Sequence, residues 1–320
     1  MKRKIVLGAA FLLLSLSAGA ADFPQKPITI VTPFPAGSSS DLIPRLIAPL
    51  MSKSLGVPVI VDNKPGANGS LGAFAVANSA ADGYVLLLGT TGVLSINQWI
   101  YKKPRYLPER DFAPIINAAS TPNLLVVNPR IAAGNLKELI ALAKAEPGKL
   151  NYASAGNGST SHLCGEVLKQ AAGIDIVHVP YKGPAPAIQD VLGGQVSMMC
   201  DNFSNVMHYV QAGKLKAIAI TDEKRNTLLP QVPTTSEQGF AQVQAGNWYG
   251  FVAPAATPKN IVETLNAAMG DALKDPEVKK RLADLGLSAN PGTPDAFRQL
   301  IADDAMRMKD IVAASGARVE

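Results

Sequence analysis

Short apolar and β-branched runs alternate with helical patterns along nearly the whole chain, and this alternation restricts the fold more than any other feature. Residues 27–31, 57–61 and 84–88 read as strands, separated by helical patterns over about 40–55 and 69–78. Extended stretches at 112–118 and 123–127 flank a break at Ser120-Thr121-Pro122. A second run opens with a helix over 136–145 that stops at Pro147-Gly148. Strands at 151–153, 174–179, 196–200 and 215–220 then interleave with helices at 160–172, 186–192 and 203–212. Another extended segment, 247–252, precedes three helices at about 258–273, 276–285 and 294–314, each opened by a proline suited to a first turn. Strand–helix–strand repeats build mainly parallel sheets covered by helices, so the fold class is α/β.

A chain of 320 residues exceeds one typical core, and two domains follow. No long linker separates them, so the boundary consists of crossing strands at 118–123 and 244–251. That predicts a discontinuous first domain, 22–120 with 245–320, and a second over 121–244. Two adjacent crossings form a hinge in which few torsions need to change for the halves to close.

Lys2, Arg3 and Lys4 precede an apolar run over 5–16, and Ser17-Ala18-Gly19-Ala20-Ala21 then supplies small residues at cleavage spacing. This order predicts a signal peptide over 1–21, cut after Ala20 or Ala21, and export to the periplasm. The run is shorter than the ~20 residues of a spanning helix, and no cysteine follows it to carry a lipid. A free, soluble mature chain is expected, and a monomer. The net charge of +5 falls to +2 without those three basic residues, and no basic cluster remains to suggest nucleic acid. Cys164 and Cys200, the two cysteines, suit either a disulfide in an oxidising compartment or two buried thiols. With His162, His178 and His208 as the only histidines, no metal site is expected, and no cofactor.

The polar, small-residue loops fall in one kind of place. Thr32-Pro33-Phe34-Pro35-Ala36-Gly37-Ser38-Ser39-Ser40-Asp41 follows the first strand and opens a helix, and Gly89-Thr90-Thr91-Gly92 follows the third. Ser154-Ala155-Gly156-Asn157-Gly158-Ser159-Thr160-Ser161-His162 repeats the arrangement later, and Asp201-Asn202 ends a further strand before a helix. Ligands of open α/β sheets bind beyond the carboxyl ends of the strands. Helix N-termini there offer unpaired N–H groups and partial positive charge to an anion. Glycine allows close backbone approach, and Ser and Thr add hydroxyls. Taken singly, such loops are ordinary helix caps; four of them across both predicted domains point to a site. The candidate contacts are Phe34, Pro35, Ala36, Gly37, Ser38, Ser39, Asp41, Thr91, Ser154, Gly156, Asn157, Gly158, Ser159, Thr160, His162 and Asp201.

Arg and Lys are missing from these loops, apart from nearby Lys64 and Lys182. A phosphate would recruit arginine forks, whereas neutral donors and helix termini suit a carboxylate. Asp201 then either accepts from a ligand amino or hydroxyl group or caps its helix. His162 is expected to lend a polar edge to the cleft. Trp248 and Tyr249 could line a pocket, although core packing better suits Trp248. Neither a Gly-x-Ser-x-Gly elbow, a Walker loop nor a Gly-x-Gly-x-x-Gly motif occurs. A serine-hydrolase triad of Ser39, His162 and Asp201 rests on residue types alone. No enzymatic activity is expected.

Five ordered blocks resemble the tripartite tricarboxylate transporter substrate-binding proteins, the TctC or Bug family. They are Val31-Thr32-Pro33-Phe34-Pro35-Ala36-Gly37 with Asp41 and Arg45; Asn63-Lys64-Pro65-Gly66-Ala67-Asn68-Gly69; His178-Val179-Pro180-Tyr181-Lys182-Gly183-Pro184-Ala185-Pro186-Ala187; Leu229-Pro230-Gln231-Val232-Pro233-Thr234; and Trp248-Tyr249-Gly250-Phe251-Val252-Ala253-Pro254. The resemblance spans essentially the mature chain. It implies a periplasmic-binding-protein fold of two hinged α/β domains that feeds membrane transporter subunits. A sensor that signals to a kinase would share the same cleft. It also implies that residues 34–39 and 154–160 hold the carboxylate of a small organic acid: a mono-, di- or tricarboxylate, an amino acid or an aromatic acid. Tyr181 joins the candidate contacts through its block. The family usually has glycine where Ser38 stands, so freedom for positive φ is lost there. Pro44, also unusual, is expected to tighten the first turn of its helix.

Overall fold

The computed structural model describes residues 23–317, and the signal peptide expected at 1–21 lies outside the described residues. Strands rich in Val, Ile and Leu and buried along most of their length must be covered on both faces. That is where β1 (Ile28–Thr32) and β3 (Val85–Thr90) lie, with α1 (Ser39–Leu55), β2 (Val59–Asn63) and α2 (Ser70–Ala77) between them. β1 pairs in parallel with both β2 and β3. A π-helical turn, Gly92–Ile96, leads through α3 (Asn97–Ile100) and α4 (Pro108–Asp111) into β4 (Phe112–Val127). The second lobe follows as α5 (Leu136–Ala145), β5 (Asn151–Ser154), α6 (Thr160–Ala172), β6 (Val177–Pro180), α7 (Pro184–Gly193), β7 (Met198–Asn202), α8 (Phe203–Gln211) and β8 (Lys216–Ile220). β9 (Gly246–Pro254) returns to the first lobe, which ends with α9 (Lys259–Lys274), α10 (Pro276–Asp284), β10 (Ser288–Ala289) and α11 (Pro294–Ser315).

Sheet order is β2-β1-β3-β9-β4-β7-β5-β6, with β8 and β10 also on β4. The break expected at Ser120-Thr121-Pro122 is bridged: β4 runs 16 residues without interruption. Across the predicted break it pairs with β9, as Ser120↔Trp248, Thr121↔Asn247 and Pro122↔Gly246. Pro122 falls where β10 has ended, at Ser120, and β7 has not begun, at Asn123. A missing N–H is tolerated in such a gap.

Strand direction then places the site. β9 is antiparallel to β3 and β4, with Tyr249 opposite both Thr90 and Ala119. β7 is antiparallel to β4, with Asn202 opposite Asn123, and parallel to β5. The carboxyl ends of strands in both lobes therefore point at the same short stretch of β4.

Each lobe has its own apolar core. Ile28, Ile47, Leu86, Phe251 and Met269 anchor the first, and Leu136, Tyr152, Met198 and Ile218 a core of the second. A further cluster joins the lobes, with Ile96, Ile100, Met308 and Val312 against Leu163 of α6. Cys164 and Cys200 form a disulfide between α6 and β7, with Cα atoms 6.1 Å apart. Trp248 packs in the core, edge-on to Phe297, and its Nε1 donates to Asp304 Oδ2 at 3.1 Å.

Candidate binding cleft

The loop after β1 is tied down by Asp41. Its Oδ2 accepts from Gly37 N at 2.9 Å, and its Oδ1 accepts from Arg45 Nε at 2.9 Å and Asn63 Nδ2 at 3.0 Å. The same Asn63 nitrogen donates to Phe34 O at 3.0 Å. Burial pushes this carboxyl up, but the bonds from Arg45, Gly37 and Asn63 outweigh it and hold the group below the usual aspartate value. Asp41 is thus engaged within the protein, as a clamp on the loop, while Pro35, Ala36 and Gly37 stay exposed. Positive φ is carried by Gly37, at 82°. Ser38 sits at φ −73°, as N-cap of α1, so serine costs the backbone nothing there. Its Oγ donates to Pro35 O at 2.8 Å.

Pro44 lies within α1 and does not tighten its first turn. A proline there deprives the carbonyl four residues earlier, Ser40 O, of its helical donor. Thr32 Oγ1, fully buried at the end of β1, donates to that carbonyl at 3.1 Å. The strand thus repairs the helix.

The loop after β5 is held from inside. Ser154 Oγ meets His178 Nε2 at 2.6 Å, Ala155 N donates to Ser161 Oγ at 2.9 Å, and Ser159 Oγ donates to Gly156 O at 2.7 Å. Gly158 N donates to His162 Nδ1 at 3.2 Å, which makes that nitrogen the acceptor and His162 neutral. The His162 and His178 rings stack at 3.9 Å. Burial lowers both imidazoles to about 4; Lys169 adds to the effect at His162, and the neighbouring ring does so at His178. His162 therefore braces the loop. Asn157 is exposed at the tip, and Thr160 starts α6 behind the cap Ser159. Tyr181 N donates to Ser154 O at 3.1 Å, and its hydroxyl donates to Asp190 Oδ2 at 2.5 Å.

The lobes meet over these loops. Ser39 Oγ lies 3.2 Å from Ser204 Oγ of α8, and Asn202 Nδ2 donates to Tyr249 OH at 3.2 Å. Thr91 N donates to Asn247 Oδ1 at 3.2 Å, and Trp248 N donates to Thr91 Oγ1 at 3.0 Å. Gly158 rests on Ile100: a Cβ there would fall 2.0 Å from Ile100 Cδ1. Asp201 lies within β7 and is 3% exposed. Its Oδ1 accepts from Asn202 N at 2.6 Å and Asn205 Nδ2 at 2.9 Å, while Oδ2 has no partner among the described residues. Burial raises this carboxyl to about 6, against the pull of Asn205 and Asn202 N. Ser39, His162 and Asp201 are each bonded to other groups, an arrangement unlike a triad. Asn123, Ser204 and Asn247 escaped sequence reading, since only the crossing of β4 and β9 brings them here. Among the described residues no cluster of His, Cys, Asp and Glu could hold a metal ion, and no helix is long and apolar enough to cross a membrane.

Two α/β lobes on a pair of crossing strands, touching at Ser39–Ser204 and at Gly158–Ile100, define a periplasmic-binding-protein fold. The chain belongs to the tripartite tricarboxylate transporter family receptors (TctC), whose profile matches residues 43–317. It is similar to Rpa4515 of R. palustris with adipate: 32% identical, TM-score 0.85, covering 92% of this chain and 99% of that one. The periplasmic binding protein BugD is 36% identical, with TM-score 0.83 and coverage of 93% and 100%. MatC of Rhodopseudomonas palustris with bound malate is 35% identical, with TM-score 0.82 and coverage of 91% and 100%.

Proposed function

We propose that this chain is a periplasmic receptor that captures a small carboxylate for a tripartite tricarboxylate-type transporter and performs no chemistry on it. The observation that carries the reading is that the loops opening α1 and α6 each touch the opposite lobe, Ser39 at Ser204 and Gly158 at Ile100, and that neither loop contains Arg or Lys; Arg45 is spent on Asp41. First-turn N–H groups have no partner inside a helix, and they carry the positive end of its dipole. Adipate and malate in similar proteins support a dicarboxylate. The ligand is assigned to residues 34–39 and 154–160 together with Thr91 and Asp201. Asp41, His162 and Tyr181 act behind them. The lobes are assigned as 22–120 with 245–320 and as 121–244, and the receptor as a monomer.

A thermal-shift panel of mono-, di- and tricarboxylates against their amides and methyl esters tests this. A ligand at a hundred times its Kd stabilises by about 2.7 kcal/mol, so at least one acid should raise Tm by several degrees while its amide does not. Turnover of a nitrophenyl ester with no acid raising Tm would favour a hydrolase instead.

A further inference from the structure

Unpartnered acceptors collect where β7 meets the crossing. Asn123 and Asn202 are cross-strand partners, so their side chains leave the same face of the sheet. Both amide nitrogens are committed, Asn123 Nδ2 to Thr160 O at 3.4 Å and Asn202 Nδ2 to Tyr249 OH at 3.2 Å. That leaves Asn123 Oδ1 and Asn202 Oδ1 buried and without a donor among the described residues. Asn123 is wholly buried. One residue earlier in β7, Asp201 alternates to the opposite face, where Asn205 of α8 donates to its Oδ1. Buried acceptors without donors are few in native proteins, and the Asn123–Asn202 pair sets two of them side by side at one strand end.

Donors and acceptors are thereby segregated. The first turns of α1 and α6 supply N–H groups without a helical partner. The Asn123–Asn202 pair supplies carbonyl-type oxygens. A ligand made only of carboxylates suits the first set and leaves the second without a donor. We propose that the acid captured here carries its own hydrogen-bond donor, a hydroxyl or ammonium group, beside a carboxylate, and that Asn123 and Asn202 read that donor. The proposal rests on the carboxylate reading above. Its competitor is an ordered water that fills the same positions whatever acid is bound.

Calorimetric titration of matched acids decides between them: succinate against malate and aspartate, and glutarate against 2-hydroxyglutarate and glutamate. The expected result is that one donor-bearing acid binds at least about tenfold more tightly than the plain acid of its length, equivalent to about 1.4 kcal/mol. In Asn123→Ser and Asn202→Ser that ratio should fall below about threefold. Ligand-free melting curves show whether each variant is folded, and the wild-type ratio stands on its own if one is not. A wild-type ratio near one with plain acids bound overturns the proposal and leaves the carboxylate reading intact. Binding of no acid overturns both. An undiminished ratio in both folded variants overturns the assignment to these residues.

Discussion

Ser39 of α1 and Ser204 of α8 stand 3.2 Å apart, oxygen to oxygen, although they belong to opposite lobes and to helices 165 residues apart in sequence. The two lobes are therefore in direct contact over the loops that would hold a ligand.

The contact between the lobes leaves room only for a glycine at position 158. Gly158 has φ +78° and sits under Ile100, so an alanine there meets both backbone strain and a side chain of the other lobe. Gly158→Ala should abolish or greatly weaken the Tm shift given by any acid that stabilises the wild type. The additional variant Ile100→Ala relieves the overlap and should restore part of the shift.

Thr32 and Pro44 should be energetically coupled. Thr32→Val strands the Ser40 carbonyl, at a cost of about 1–3 kcal/mol for a buried acceptor left unmade. Pro44→Ala returns a backbone N–H to that carbonyl. In the Pro44→Ala background, Thr32→Val should cost less by about 1 kcal/mol or more, as measured by a denaturant double-mutant cycle. Strict additivity would contradict the repair.

The stacked histidines make stability depend on pH. Folded, both imidazoles stay neutral down to about pH 4, whereas unfolded they take up protons near 6.5. The unfolded state binds more protons in that window, so stability is lost as pH falls from about 6.5 towards 4. Asp201 acts in the opposite sense, because its folded value of about 6 exceeds the unfolded 3.8 and its contribution grows as pH falls. Two imidazoles against one carboxyl leave a net loss of up to about 1.4 kcal/mol per pH unit. Melting curves from pH 7 to 4.5 should show Tm falling, with a shallower slope in His162→Gln. A flat wild-type profile would contradict the buried, neutral pair.

The disulfide closes a separation of 36 residues in the second lobe. On the chain-entropy estimate, a loop of that size contributes about 4 kcal/mol. The double variant Cys164→Ser with Cys200→Ser should lose about 2–4 kcal/mol in denaturant melts, and reductant should have no further effect on it.

What was readable in the chain follows from how local each signal is. Strand–helix alternation and the helix-opening loops at 32–41 and 154–162 are written in consecutive residues, and so were legible. Pro122 looked like a break because its tolerance depends on β9, more than a hundred residues later. The clamp that Asp41 makes could not be read locally, because Asn63, which donates to its Oδ1, arrives on a different strand. His162 and His178 are joined only by the parallel pairing of β5 with β6, which sets His178 opposite Tyr152. Ser38 and Pro44 raised doubts that the fold answers locally, through Gly37 and Thr32.

Titration calorimetry with small dicarboxylic acids, on the wild type and on Gly158→Ala, tests the central claim most directly. The expected result is saturable one-to-one binding by the wild type that the glycine variant loses or weakens at least tenfold while still melting cooperatively. Heat absent for every acid, or binding indifferent to residue 158, would contradict a ligand held between the two lobes.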